Sequence, residues 1–263
     1  MRRSKLATSL LRVRRGSALL GDIPAGVTPA DVASAYAIAD EVVTALTPQW
    51  GAVAGYKVGA TSEAGQRVLK LAEPFYGRAF AGGIVNSGSG WAVEGTGCTV
   101  EAEIGFVMGR NLPPRATPYT QSEVRRAVAR VVPLLEINRP AYAKPFEVGG
   151  LCLIADNGVT QAFVRAARGR ALGQRSFRDE AVTLLQNGRG VAAGTAVVVL
   201  GDPLRAVVWL ANALSRRECG LRKGDVVASG AMTPPVAFSA GDTMSATYST
   251  LGKVAFTAQN PPR

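Results

Sequence analysis

The sequence predicts an α+β protein, in which a helical N-terminal segment precedes a strand-rich core with mixed sheets. Capped, helically spaced apolar residues appear first, whereas short alternating apolar runs between glycine turns dominate the rest of the chain. Hydrophobic residues make up 47% and charged residues 19%, which is typical of a folded chain with a large core. We therefore expect a basic and helical segment over residues 1–50 and a strand-rich core over residues 51–263.

The first clear helix is expected to begin at Thr28. Thr28 can cap it, Pro29 suits the first helical position, and Asp31 favours the positive end of the helix. Pro48 is expected to follow its last turn. The apolar residues at helical spacing are Val32, Tyr36, Val43 and Leu46.

Three further helices are predicted over residues 62–71, 120–132 and 203–219. Thr120 and Glu123 have the spacing of a capping box, and Pro133 is expected to end that helix. Asp202-Pro203 forms a cap and first-turn pair, and Gly220 is a candidate C-cap. The predicted strands cover residues 51–60, 99–108, 134–138, 225–229, 243–248 and 253–257.

The chain has a net charge of +11, from 30 Lys plus Arg against 19 Asp plus Glu. A basic chain favours anionic partners such as nucleic acids, and an Arg-rich, acid-poor start is also typical of organelle transit peptides. No RNA-binding aromatic motif or zinc-finger spacing is present, so we expect no nucleic-acid binding and a solvated basic surface that attracts anionic substrates. The basic residues at the start are Arg2, Arg3, Lys5, Arg12, Arg14 and Arg15.

The cysteines Cys98, Cys152 and Cys219 are isolated, which argues against a disulfide framework or a zinc site and fits a reducing cytoplasm. No apolar run reaches the length of a membrane span, so no membrane is expected. The sequence contains no histidine. Mechanisms that pair histidine with serine or cysteine are therefore excluded, and acid–base chemistry must use carboxylates, lysines, tyrosines or metal-bound water.

Two carboxylates, Glu101 and Glu103, alternate with small or apolar residues in a predicted strand, so they point to the same face. Burying two adjacent carboxylates is costly unless a cation neutralises them. Glu136 lies in a second apolar strand and supplies a third oxygen ligand of the kind that magnesium or manganese prefers. The alternative is an exposed strand face with both glutamates in solvent.

Lys57 is flanked by small and apolar residues, which predicts a buried lysine with a shifted pKa or a carboxylate partner. A lysine that reaches solvent from a strand end is the alternative. The run Asp156-Asn157-Gly158 is typical of a turn. The segment from Ser229 through Gly230 to Thr233 follows a strand and can offer backbone N–H groups and hydroxyls to an anion, although an ordinary loop has the same pattern.

In order and spacing, these segments resemble the 2-keto-4-pentenoate hydratase and 2-oxo-3-hexenedioate decarboxylase branch of the fumarylacetoacetase-like superfamily, from about residue 28 to the end. The segments that carry the resemblance are Gly55-Tyr56-Lys57-Val58-Gly59 with Thr61-Ser62, Glu73-Pro74-Phe75-Tyr76-Gly77, Val100-Glu101-Ala102-Glu103-Ile104, Leu135-Glu136, Ala155-Asp156-Asn157, Leu200-Gly201-Asp202-Pro203-Leu204 with Trp209-Leu210-Ala211-Asn212, and Gly224-Asp225 through Gly230 to Thr233-Pro234.

The resemblance implies a mixed β-roll core of the fumarylacetoacetase C-terminal type and a homo-oligomer. It implies a lyase that adds water to a 2-hydroxy-dienoate or 2-oxo-enoate acid, with Mg²⁺ or Mn²⁺ held by Glu101, Glu103 and Glu136. The implied catalytic residues are Lys57, Asp156 and Thr233, and the implied substrate-binding residues are Tyr56, Phe75, Asn157, Ser229 and Gly230.

Three alternatives remain beside the hydratase. The first alternative is a decarboxylase of a vinylogous 2-oxo-diacid. Hydratases of this branch typically carry an acid where Phe75 stands, whereas the decarboxylases carry an apolar residue there. The second is a diverged, pathway-specific enzyme, and the third is a non-catalytic subunit that pairs with a homologous hydratase or decarboxylase. The branch's Asp-Ser-Arg run is replaced by Asn138-Arg139-Pro140, and Val159 stands where the branch has a serine. A hydrolase is disfavoured, because hydrolases of the superfamily rely on a histidine–glutamate pair.

Overall fold

The computed structural model of the protein describes residues 3–21, 23 and 26–261, so Arg2 of the basic start lies outside the described residues. Helices α1 to α6 span, in chain order, Lys5–Arg14, Val32–Trp50, Glu63–Leu69, Gln121–Ala127, Gly150–Ala155 and Pro203–Ser215. Strands β1 to β13 span Val53–Gly59, Phe75–Phe80, Ile84–Asn86, Gly90–Ala92, Thr99–Met108, Val128–Asn138, Thr160–Arg165, Ala181–Gln186, Arg189–Thr195, Val226–Ala231, Val236–Ala237, Thr243–Tyr248 and Gly252–Gln259.

The strands form two mixed sheets. The larger has the order β2-β1-β10-β5-β6-β7-β3, with β11 also paired to β5, and the smaller has the order β4-β13-β12-β8-β9. Most neighbours are antiparallel, whereas β1 with β10, β3 with β7, and β4 with β13 are parallel. The prediction of an α+β chain with mixed sheets is confirmed.

One large hydrophobic cluster joins the N-terminal helices to both sheets. It contains Leu10 of α1, Val42 of α2, Val100 of β5 and Phe256 of β13, all almost fully buried. The helices and the smaller sheet therefore share this core, whereas a second cluster, with Val107, Leu134 and Phe163 among its members, is formed by residues of the larger sheet alone. The division of the chain between residues 50 and 51 stays a prediction.

Three helix ends differ from the sequence prediction. The second helix is capped by Asp31, not Thr28, because the Asp31 carboxylate accepts from the backbone N–H of Ser34 and the Ser34 hydroxyl caps Asp31 in return. Pro48 lies inside the last turn of that helix instead of beyond it. Gly220 is not the C-cap of α6, because the helix already ends at Ser215 and Arg216 is its C-cap.

The helix predicted to run from Thr120 to Pro133 was the largest error. Thr120 and Glu123 form the expected capping box, but α4 ends at Ala127 and strand β6 begins at once. Its β-branched valines favour a strand, and β6 pairs with β5 over nearly its whole length, so tertiary pairing outweighs the helical spacing. Helix α5 and strands β7, β8, β9 and β11 were not predicted.

The segment Ala196–Ser215 is long and apolar enough to cross a membrane by length and composition, contrary to the sequence prediction. Half of that window is buried inside the fold. Regular α-helix covers only Pro203–Ser215, and Leu204, Val207 and Leu210 pack in the core. We therefore interpret α6 as a core helix.

Candidate active site

Three carboxylates meet on the face of the larger sheet that points away from the N-terminal helices. Glu101 and Glu103 lie two residues apart on β5, and Glu136 lies directly opposite Glu101 on β6. One carboxylate oxygen from each residue lies within 4.8 Å of the others. Glu103 and Glu136 are buried and Glu101 is nearly so, which contradicts the alternative of glutamates in solvent.

Lys57 reaches this cluster from β1, where its Nζ donates a 2.9 Å hydrogen bond to Oε2 of Glu136. Strands β1 and β6 are three positions apart in the sheet order, which is roughly 14 Å in a flat sheet. The sheet must therefore curl towards this face. Gly77 and Gly105 keep this face open to close neighbours, since a Cβ at Gly77 would collide with the Asn157 carbonyl oxygen and one at Gly105 with the Val132 side chain.

Hydrogen bonds fix each carboxylate separately. Glu103 Oε2 accepts from the Gly230 backbone N–H at 2.7 Å, and Glu136 Oε1 accepts from the Thr160 hydroxyl at 3.1 Å. Glu101 Oε2 accepts from the Asn138 amide nitrogen at 2.9 Å. These bonds hold the three carboxylates in place without neutralising their charge.

Burial shifts the pKa values of the ionisable groups in the cluster. Burial raises the pKa of Glu101 to about 7, against the opposing effect of the Lys57 ammonium. Burial and the neighbouring Glu136 carboxylate raise the pKa of Glu103 well above its usual value. Burial lowers the pKa of Lys57, but the three carboxylates, led by Glu136, outweigh this effect and raise it. One ammonium group thus faces three carboxylates.

The donor set fits a hard divalent cation. Three carboxylates with oxygens within 4.8 Å of one another carry more negative charge than Lys57 compensates, and oxygen ligands of this type suit Mg²⁺ or Mn²⁺. The amide oxygen of Asn138 is also buried and accepts no hydrogen bond from the residues that the structure describes. The cluster therefore has oxygen atoms available to a cation or its ligands.

A cavity of about 800 Å³ opens over the cluster, lined by Lys57, Glu101, Glu103 and Phe75 among other residues. The Phe75 ring lies 5.9 Å from Lys57 Nζ and is almost fully buried. Gly59 is required beside it, because a Cβ there would collide with the ring. Phe75 thus gives the lysine an apolar wall.

Other predicted residues lie beside the cavity without lining it. Tyr56 points to the opposite face of β1, where its ring packs edge-on against Tyr76. The Thr233 hydroxyl accepts from the Ala102 backbone N–H at 3.1 Å, which ties the loop after β10 to β5. Ser229 is fully buried behind Gly230. Their catalytic or substrate-binding roles stay predictions.

Asp156 and Asn157 make contacts that hold the chain rather than a ligand. Asp156 forms a buried salt bridge with Arg14 at 2.7 Å and accepts from the Ala141 backbone N–H at 2.8 Å. The Asn157 side chain exchanges two hydrogen bonds with the backbone of Arg78. The cavity instead meets the next two residues, Gly158 and Val159. The roles predicted for Asp156 and Asn157 also remain untested.

The sequence prediction did not assign three residues that complete the cluster. Asn138 lies two residues after Glu136 on β6, and this spacing on one strand face was a signal for it. Thr160 gave no such signal, and Thr61 was noted only within a segment of the family resemblance, without a role. Thr61 lines the cavity next to Gly230, and Thr160 reaches Glu136 from the adjacent strand β7.

Comparison with known proteins relates the chain to one family both by sequence and by fold. Residues 87–259 match the fumarylacetoacetate (FAA) hydrolase C-terminal family. The chain is 32% identical over 225 residues to the TodF product hydratase of Pseudomonas putida, covering 85% of this chain and 83% of the relative. It is 33% identical over 203 residues to the 2-keto-4-pentenoate hydratase of Burkholderia vietnamiensis, covering 77% and 76% of the two chains.

The fold is also that of a solved structure, 4-oxalocrotonate decarboxylase from Pseudomonas putida G7 complexed with magnesium and adipate. The two chains superpose with a TM-score of 0.87 at 24% identity over 98% of each. The curled mixed sheet with its inward carboxylates thus defines a fumarylacetoacetase-like protein, which confirms the predicted β-roll. The chain belongs to the fumarylacetoacetate hydrolase C-terminal family, and its relatives in sequence include 2-keto-4-pentenoate hydratases.

Proposed function

We propose that the chain is a metal-dependent lyase that adds water to a 2-hydroxy-dienoate or 2-oxo-enoate acid. The observation that carries this proposal is the buried cluster of Glu101, Glu103 and Glu136 facing the Lys57 ammonium. The names of the relatives, hydratases of 2-keto-4-pentenoate among them, support the same class of reaction.

Glu101, Glu103 and Glu136 would hold Mg²⁺ or Mn²⁺. A bound divalent cation supplies a Lewis acid that stabilises negative charge on the 2-oxygen of the substrate. Each carboxylate keeps its place through a separate donor of this chain, so the ligand oxygens are oriented before the substrate arrives.

Lys57 is the residue that we expect to hold and move the proton. Ketonisation of a 2-hydroxy-dienoate takes the proton from the 2-hydroxyl to the far carbon, and water then adds across the remaining conjugated double bond. Lys57 Nζ lines the cavity, and its neighbouring carboxylates keep it charged. Phe75 shields this ammonium group from solvent on one side.

A decarboxylase of a vinylogous 2-oxo-diacid is the second candidate. The observation that favours it is Phe75, an apolar residue at a position where hydratases of the resembled branch carry an acid. Product analysis separates the two reactions, because only the decarboxylase releases carbon dioxide. A diverged or non-catalytic member of the fold would bind metal and turn over neither substrate.

The test is turnover of 2-hydroxypenta-2,4-dienoate by protein stripped with chelator and refilled with Mg²⁺ or Mn²⁺. Loss of the dienol absorbance and formation of a 4-hydroxy-2-oxo acid are expected only in the refilled sample. Glu101→Gln and Glu136→Gln should abolish both turnover and metal binding, measured by calorimetry. Glu218→Gln, which alters an exposed carboxylate, is the matched control. A wild-type protein that binds no metal would overturn the proposal.

We also propose a cytoplasmic homo-oligomer that acts on a small-molecule acid. All three cysteines are free, which fits a reducing compartment. Sedimentation of the purified protein gives the subunit number. Co-purification of a second, homologous subunit would indicate a mixed hydratase–decarboxylase assembly instead.

A further inference from the structure

The cavity has a charged inner end and an apolar outer end. Lys57 and Glu103 lie at the inner end, where only 5% and 1% of their surfaces are exposed. Val68 and Phe146 line the same cavity but are 59% and 61% exposed, so they stand at its mouth. The wall is further lined by Leu19, Leu69, Tyr142, Pro145 and Leu153.

Within the part of the chain that the structure describes, the outer end offers no cation to a second negative charge. Among the described residues that line the cavity, only Lys57, Glu101 and Glu103 are charged, and all three belong to the inner cluster. The cations next to the mouth in sequence, Arg67 and Lys144, are exposed, and each pairs with an acid of its own turn. A carboxylate held along the wall inside the mouth, beside the buried Leu69 and Leu153, would lose water without gaining a cation, which is unfavourable.

The size of the cavity also exceeds what the smallest acid of this class requires. Cavities of roughly 300–1,000 Å³ typically enclose drug-sized ligands, and this one measures about 800 Å³. A pentadienoate would occupy only the charged inner end. The apolar wall and mouth would then remain in contact with water, an arrangement that a longer apolar substrate relieves.

We infer that the preferred substrate is a monocarboxylic 2-hydroxy-dienoate with an extended apolar tail, alkyl or aryl, and not a diacid. This inference rests on the proposed function, because it assumes that the 2-oxo-carboxylate end lies at the inner cluster. The tail then runs outward along Leu69 and Leu153 and ends between Val68 and Phe146. Val68 and Phe146 are the residues that determine specificity for the far end of the tail.

Binding of saturated 2-oxo acids to the Mg²⁺-loaded protein tests the inference without requiring turnover. Calorimetry would compare pyruvate, 2-oxohexanoate, 2-oxooctanoate and 4-phenyl-2-oxobutanoate, with 2-oxoadipate as the diacid matched in length to 2-oxohexanoate. Affinity is expected to rise by roughly two- to fourfold for each added methylene, the upper value corresponding to about 0.8 kcal/mol for one buried methylene group. The diacid is expected to bind at least about tenfold more weakly than 2-oxohexanoate.

Introducing a cation at the mouth should reverse the preference. Val68→Lys and Phe146→Lys are each expected to weaken binding of 2-oxooctanoate and to strengthen binding of 2-oxoadipate. Val191→Lys is the control, because Val191 is similarly exposed on β9 and does not line the cavity. Val191→Lys should leave both affinities unchanged.

The outcomes separate the two proposals. Equal affinities along the series, or tighter binding of 2-oxoadipate, overturn the tail inference while the hydratase proposal stands on turnover of 2-hydroxypenta-2,4-dienoate. If no 2-oxo acid binds to the loaded protein and this dienoate is not consumed, both proposals fail. A rising series with a reversal in Val68→Lys supports the inference even if the reaction is not hydration.

Discussion

The guanidinium of Arg14 donates a 2.7 Å hydrogen bond to Oδ1 of Asp156, and both side chains are almost completely enclosed. The contact joins helix α1 to the turn that follows α5. Asn157, Gly158 and Val159 in this turn have positive φ angles of 54°, 68° and 59°, which is unfavourable above all for the β-branched valine. The salt bridge therefore holds a strained segment against the cavity that Gly158 and Val159 line.

Replacing Arg14 by Met is expected to lower the free energy of unfolding by about 3–5 kcal/mol, because it leaves the Asp156 carboxylate buried and unpaired. Urea unfolding of the metal-loaded protein measures the change. Arg15→Met, on the exposed neighbouring residue, should change stability by no more than about 0.5 kcal/mol.

The double variant Arg14→Met with Asp156→Asn should be more stable than Arg14→Met alone, since the amide carries no charge to compensate. If Arg14→Met unfolds at the wild-type urea concentration, the salt bridge does not hold the turn.

Replacing Lys57 by Met is expected to lower kcat by about 10²- to 10⁴-fold, because the group that carries the proton is lost. Binding of Mg²⁺ should persist, since Glu101, Glu103 and Glu136 are unchanged. Turnover and metal calorimetry on the same preparation separate the two effects. Lys253→Met, on an exposed strand position, serves as the control. A Lys57→Met protein with full kcat would exclude Lys57 from the reaction.

The centre of the site was predictable from the sequence because local rules determine it. Residues that lie two positions apart on a strand point to the same face. This rule places the Glu101 and Glu103 side chains next to each other wherever the strand lies in the fold. A lysine inside an apolar run must find a partner when it is buried, which anticipated a carboxylate beside Lys57; the structure shows that this carboxylate is Glu136. The resemblance to a known family supplied the reason to expect Lys57 and the three glutamates in one site.

The rest depends on long-range geometry that no local pattern contains. The contact between Arg14 and Asp156 spans 142 residues, and the basic run around Arg14 suggested a solvated surface instead. Helical spacing over Val128 and Val131 was overruled because β5 offers a strand partner along that segment. Tyr56 is the exception: it is the neighbour of Lys57 on β1 and so points to the opposite face by strand alternation, which the local pattern already implied.

Glu123 provides a test of pH dependence away from the site. Hydrogen bonds from Arg115, and then from Thr120, lower the pKa of Glu123 to about 2. A carboxylate whose pKa is lower in the folded state than in the unfolded chain stabilises the fold at pH values above its unfolded pKa. This stabilisation is lost as the pH falls towards 2. The difference in unfolding free energy between wild type and Glu123→Gln should therefore be complete near neutral pH and vanish in acid.

Unfolding of both proteins in urea at several pH values between roughly 7 and 2 measures this difference. Glu218→Gln, on an exposed carboxylate, is expected to change stability little throughout. A difference for Glu123→Gln that stays constant down to the lowest pH would contradict the assigned hydrogen bonds.

Gly230 links backbone conformation to the carboxylate cluster, and its replacement by Ala should damage both. The φ angle of Gly230 is 124°, which is disfavoured for any residue with a side chain, and a Cβ at this position would collide with the Thr61 hydroxyl. The backbone N–H of Gly230 donates a hydrogen bond to Oε2 of Glu103. Gly241 is the matched control, with a φ of 98° and open space around it. Gly230→Ala is expected to weaken Mg²⁺ binding by about 10- to 100-fold, as for other lost partners of a metal ligand. Gly241→Ala should lower stability without changing metal affinity, so equal metal affinities in the two variants would show that the Gly230 N–H does not position Glu103.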